Sequence, residues 1–158
     1  DNIRVAKIMR QYHIQKREDY VAYSKICGIV TKLSAKLKTL PKEDPFRIAL
    51  TEQLLQKLYD IGIVTTKKSL QKADEITASA MCRRRLPVIL CRLKMAETMR
   101  VAVTLVEQGQ VRVGPQVVTD PAFLVTKSME DYVTWVDSSK IRRAVSKYND
   151  KLDDFDLL

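Results

Sequence analysis

The chain has 158 residues, 46% hydrophobic and 30% charged, which suits one ordinary globular core with an added helical layer and argues against disorder throughout. Its formal charge of +9 favours a polyanionic partner, because clustered Lys and Arg gain affinity by releasing counterions from phosphates; charge alone does not choose RNA over DNA. A single histidine, His13, excludes a His-based triad or multi-histidine metal site, four glycines form no Walker or dinucleotide pattern, and charges interrupt every apolar stretch well short of the roughly 18 residues that cross a bilayer.

Cys27, Cys82 and Cys91 are odd in number and lack Cys-x-x-Cys spacing, so neither a disulfide framework nor zinc is expected, and a reducing compartment fits better. Asp1 opens the chain without a Met, so no address signal is read from that end. No cofactor is expected.

From Arg17 to Leu40, the residues Tyr20, Tyr23, Cys27, Val30, Leu33, Leu37 and Leu40 recur at steps of three and four, which predicts an amphipathic helix. Leu40-Pro41 ends it, and Asp44-Pro45 reads as an N-cap followed by a first-turn proline. The second helix carries Phe46, Leu50, Leu54, Leu55 and Leu58 on its inner face and stops at Gly62. Such stripes usually mark core, so this pair is given no chemistry. Lys67 to Glu75 is polar and reads as a connector, with a domain seam nearby.

Thr77 or Ser79 caps the next helix, whose inner face includes Cys82, Leu86, Ile89, Leu90 and Leu93. Pro87 costs about 3 kcal/mol inside a helix, so the regular part is expected to start near Leu86. A helix from Glu97 to Gln108 buries Ala102, Leu105 and Val106 and ends at Gly109. Period two then takes over: Val111 and Val113 alternate with Gln110 and Arg112, Gly114-Pro115 turns, Val117-Val118 resumes, and Phe123, Val125, Tyr132, Val133 and Trp135 extend the β portion. Ser138 and Ser139 cap a basic helix through Lys140, Arg142, Arg143 and Lys147, and the chain ends acidic. The expected class is α+β: a helical region over residues 1–75, a compact unit of short helices and a small, mainly antiparallel sheet over 76–137, and a basic helix with acidic tail over 138–158.

Between Cys82 and Arg112 the cations Arg83, Arg84, Arg85, Arg92, Lys94, Arg100 and Arg112 face only Glu97 and Glu107. On a continuous helix Arg85 and Arg92 share a face away from the apolar stripe, where guanidinium forks clamp phosphates; a merely solvated charge run is the plain alternative. These seven are the expected RNA-binding residues, with Arg84, Arg85 and Arg92 as surface groups. Asp120 and Asp131 read as turn residues rather than a catalytic acid pair, and no enzyme is expected.

Two short helices, then Gly-x-Val-x-Val and a hairpin, resemble the RNA-binding module of the S-four family of small-subunit ribosomal proteins, the alpha-L motif. The likeness lies in Arg84-Arg85-Leu86, Arg92-Leu93, Ala102, Leu105-Val106, Gly109, Val111-Arg112-Val113 and a strand from Pro121 to Val125. Met99 and Val103 stand where many members carry basic residues, Gln110 replaces a frequent His, and Gly114-Pro115 replaces Asn-Gly. The words CRRRLPVILCRLKMAET, EQGQVRVGP, DPAFLV, MEDYVTWVD, YHIQKREDY and LPKEDPF more closely resemble the Imp-three family of the U3 small nucleolar ribonucleoprotein, from about Met9 to Asp156. That resemblance implies a nucleolar RNA-binding assembly factor of the small-subunit processome, helping U3 small nucleolar RNA pair with pre-ribosomal RNA. It also implies the Mpp-ten scaffold and Imp-four protein as partners, with Lys140, Arg142, Arg143 and Lys147 a candidate docking face. The rivals are a ribosomal protein of the same family and a protein-only scaffold whose arginines meet an acidic partner.

Overall fold

The computed structural model of the protein describes residues 2–136, 147, 148 and 150. The chain opens with α1 (Asn2–Gln11), a helix upstream of the first one expected. Its Ile8 and Met9, with Tyr12 just beyond, pack against Ile14, Tyr23, Met81 and Cys82. His13 takes a left-handed φ of 51°, which turns the chain so that Ile14 N–H reaches the Met9 carbonyl at 2.8 Å.

The long helix α2 (Arg17–Lys38) buries Tyr23, Val30 and Leu37 from the expected stripe, and Ser34 with them. Helix α3 (Pro45–Ile61) begins as its sequence demands: the Asp44 side chain accepts from Phe46 N–H at 2.8 Å, proline fills the first turn, and Gly62 closes the helix at φ 94°. Leu55 and Leu58 reach the core, whereas Phe46 stays 63% exposed and does not join the inner face that spacing assigned to it. The connector holds a short turn, α4 (Gln71–Asp74), in which Ala73 packs with Val30, Leu55 and Leu58, and Leu70 just before it is buried as well. An ion pair from Lys38 to Asp74 ties α2 to α4.

Thr77 caps α5 (Ala78–Cys82), accepting from Ala80 N–H at 3.3 Å. Helix α6 (Leu86–Arg92) starts where Pro87 allows, in the first turn, and α7 (Met99–Glu107) is capped by Thr98. Leu93, expected on the inner face, is the C-cap of α6 and is 41% exposed. Three short strands follow: β1 (Val111–Val113), β2 (Gln116–Val117) and β3 (Val133–Trp135), antiparallel in the order β2-β1-β3. Arg112 pairs with both Val117 and Thr134, while Val111 and Val113 point into the core. That core joins Leu86, Ile89 and Leu90 of α6 to Ala102, Leu105 and Val106 of α7 and to Trp135, so the fold is α+β as expected.

The strand expected from Pro121 to Val125 is absent from the sheet. Asp120 instead makes a turn, its carboxylate accepting from Ala122 N–H at 2.9 Å, and Leu124 bridges to Arg85. Pro121 offers no amide hydrogen to a ladder, and the segment's hydrogen bonds go to the backbone at 84–86. Lys140, Arg142, Arg143 and the acidic tail lie outside the described residues; Lys147 is helical and exposed.

Candidate nucleic-acid interface

The arginine triplet between α5 and α6 is split between surface and interior. Arg83 is exposed, whereas Arg84 is 5% and Arg85 2% exposed. Backbone explains the split. Arg85 is extended, with φ −66° and ψ 142°, Leu86 N–H donates to the Phe123 carbonyl at 2.9 Å, and Val125 N–H donates to the Arg84 carbonyl at 2.8 Å. The helix starts only at Leu86, so the helical spacing that placed Arg85 and Arg92 on one outer face does not apply.

Both guanidinium groups find acceptors inside, although the buried Nε of Arg85 has none. Arg84 donates through Nε and Nη2 to the Val125 carbonyl at 3.1 and 2.9 Å, rests against Gly62, and lies 3.5 Å from a Glu130 carboxylate oxygen. Arg85 donates to the Tyr23 hydroxyl at 2.9 Å and reaches the Asp19 carboxylate at 3.4 Å. A buried guanidinium is tolerated only where its fork finds acceptors, and these acceptors come from α2 and from the segment beyond the sheet's hairpin. The expectation that Arg84 and Arg85 are surface groups is therefore corrected: they pin the helical layer to the α6–α7 unit. Burial also raises the Tyr23 hydroxyl's pKa, against the lowering influence of Arg85.

The other expected residues lie outside. Arg92 is half-exposed in the last turn of α6, a placement the helix dipole favours, and donates to Glu130 at 2.8 Å. Lys94 is exposed with a left-handed φ of 61° just after that helix. Arg100 is exposed in the first turn of α7, beside the Thr98 cap that accepts from Val101 N–H at 3.2 Å. A cation there opposes the helix dipole, so helix stability does not explain it. Arg112 sits half-buried on β1.

The structure brings Arg83, Arg84 and Arg92 into one cleft of about 320 Å³, lined also by Gly62 to Thr65, Ala80, Lys127 and Glu130. Lys94, Arg100 and Arg112 do not line it. Lys127 was not anticipated: it lies in a loop with no periodic signal, and its ammonium stands 4.1 Å from the centre of the Tyr59 ring, which Lys67 also approaches at 5.0 Å. No group of three or more His, Cys, Asp or Glu among the described residues is arranged for a metal. Burial pushes the Cys82 thiol up to about 11 despite Arg85 and Arg83 nearby, so it offers no ready thiolate.

Residues 84–131 match the S4 domain, and residues 1–87 match the ribosomal protein S4/S9 N-terminal domain. The chain is 54% identical over 156 residues to the U3 small nucleolar ribonucleoprotein protein IMP3 of Homo sapiens, covering 99% of this chain and 85% of that protein. Its Saccharomyces cerevisiae counterpart is 54% identical over 154 residues, 97% of this chain and 84% of that protein. More distantly, the small ribosomal subunit protein uS4 of Picrophilus torridus is 28% identical over 124 residues, covering 78% and 68%. With an S4 domain over its helix-and-sheet unit and such identity along almost its whole length, the chain belongs to the IMP3 family.

Proposed function

We propose that this chain is an RNA-binding ribosome-assembly factor of the U3 small nucleolar ribonucleoprotein, working in the nucleolus within the small-subunit processome. Its task is to promote U3 RNA pairing with pre-ribosomal RNA during maturation of the 18S rRNA. The observation that carries the reading is a set of exposed cations on an S4 domain and at its edge, Lys94 and Arg100 with Arg83, that form no ion pair among the described residues. Such groups lower the repulsion between two RNA strands and so favour hybridisation without covalent chemistry. A-form helices expose few readable base edges in their major groove, so shape and phosphates are what this surface recognises.

Arg83, Arg92, Lys94, Arg100 and Arg112 are the contact residues on this reading, and Arg84 and Arg85 act through the seam they hold. The helical region over 1–75, the RNA-binding domain over 76–137 and the tail over 138–158 divide the work. The basic run of Lys140, Arg142, Arg143 and Lys147 suits docking to an acidic scaffold such as Mpp-ten by its charge, with Imp-four alongside. The likeness in name and sequence to the IMP3 proteins supports the assembly role.

The test is RNA affinity against salt: about five phosphate contacts weaken binding on the order of several hundredfold between about 50 and 200 mM. A flat response overturns the reading. The likeness to uS4 favours a second one, a resident ribosomal protein. Sedimentation separates them, since a resident stays with mature small subunits and an assembly factor stays with nucleolar precursors.

A further inference from the structure

The cleft between the segment after α3 and the start of the S4 domain gathers four cations around one carboxylate. Arg83 comes from the turn after α5, Arg92 from the end of α6, and Lys127 from the loop before β3, so three donors converge from three elements. Arg84 forms the inner wall and donates through Nε and Nη2 to the Val125 carbonyl. Neither Arg83 nor Lys127 has a carboxylate within ion-pair distance among the described residues. Gathering like charges is unfavourable unless an anion joins them.

Glu130 partly fills that role. Its two oxygens sit 2.8 Å from Arg92 and 3.5 Å from Arg84, so one carboxylate is shared by two guanidinium forks. Guanidinium forks take phosphate oxygens in the same way. A phosphodiester adds what Glu130 lacks, a tetrahedral anion whose two free oxygens face donors from several directions, including Arg83 and Lys127. The cavity, about 320 Å³, is at the small end of ligand pockets and suits a phosphate with its sugar more than a stacked base.

We propose that this cleft seats one phosphodiester of an RNA strand crossing from the S4 domain onto the helical layer, and that Glu130 is its internal competitor, holding Arg92 until the phosphate takes it. This rests on the RNA-binding reading above and adds to it a site, a residue (Lys127) and a negative determinant (Glu130).

The experiment is fluorescence anisotropy of the full chain with a short labelled RNA hairpin, over a salt series, for the wild type and for Glu130→Gln, Lys127→Gln and Arg83→Gln. Removing the competing charge is expected to tighten binding about fivefold, the size of one screened surface interaction. Lys127→Gln and Arg83→Gln are each expected to weaken binding and to lower the salt slope by about 1. Glu130 touches the buried Arg84, so melting of Glu130→Gln is followed in parallel; the other two side chains are exposed and keep the test decisive if that variant unfolds.

Wild-type binding with a steep salt slope but three variants indistinguishable from it overturns the phosphate seat and leaves RNA binding standing. Salt-independent or absent wild-type binding overturns both. A glutamate-rich peptide that binds with the same dependence on Arg83 and Lys127, while RNA affinity is unmoved by them, assigns the cleft to a protein carboxylate and overturns the seat.

Discussion

The guanidinium of Arg84 rests against Gly62 so closely that a Cβ built on that glycine would stand 2.9 Å from Cζ and 3.0 Å from Nε. Gly62 is also the αL cap of α3, its N–H donating to the Leu58 and Tyr59 carbonyls at a φ of 94°. One residue thus ends a helix and sets how near the helical layer comes to the S4 domain. Gly62→Ala is expected to cost about 1–3 kcal/mol, combining the positive-φ penalty with displacement of Arg84 from the Val125 carbonyl. Urea unfolding measures it. Because part of the cost runs through the guanidinium, Arg84→Ala should make the glycine substitution cheaper, and strict additivity of the two would refute the contact's importance.

Neighbouring arginines should behave oppositely. Arg85→Ala removes a buried fork and leaves the Tyr23 hydroxyl and the Asp19 carboxylate without it, an expected loss of about 2–4 kcal/mol. Arg83→Ala changes an exposed side chain and should stay within about 0.5 kcal/mol. In RNA binding the order reverses, with Arg83 the more costly change per folded molecule. An Arg85→Ala protein that unfolds at the wild-type urea midpoint would show that the seam is held by something else.

Much of the fold was legible because it is written in local periodicity. The stripe through Tyr23, Val30 and Leu37, the Asp44-Pro45 start and Gly62 stop of α3, and the Val111/Val113 alternation each depend on neighbours a few residues away. The triplet was not legible for the opposite reason. Arg84 and Arg85 are turned inward by pairing with residues 123–125, a contact some forty positions distant along the chain. Pro87 did mark the helix start at Leu86, and that mark, followed through, would have denied Arg85 its place on the helix face. Lys127 carries no periodic signal, and its position comes from the end of α3, through the Tyr59 ring and the Asp60 carbonyl that accepts from its N–H. The helix α1 carries a readable step in Val5, Ile8 and Met9, continued by Tyr12 just beyond it, but it is short beside the stripe after Arg17.

The three thiols should differ in reactivity. Cys82 has no exposed surface and a pKa pushed up to about 11 by burial, so at pH 8 it stays a thiol. Cys27 and Cys91 are part-exposed, with pKa values also raised by burial. A disulfide-exchange reagent should modify these two slowly and Cys82 only as the protein opens, at a rate that follows urea concentration. Prompt modification of Cys82 in the native protein, read by peptide mass, would contradict its place between Tyr23 and Met81.

Acid should loosen the helical layer at α4. The Lys38 ammonium hydrogen-bonded to Asp74 holds that carboxyl below its ordinary range. A depressed folded-state pKa means that the pair's stabilisation is present above the unfolded value of about 3.9 and is lost as pH falls through the folded one. Both side chains are partly solvated, so the contribution is expected to stay under about 1 kcal/mol at neutral pH. Asp74→Asn should therefore unfold slightly more easily than the wild type at pH 7, and the gap should close once the carboxyl is protonated. Urea midpoints of the two proteins across that range decide it: a gap that persists at the acid end would trace to side-chain packing of Asp74 and not to its charge.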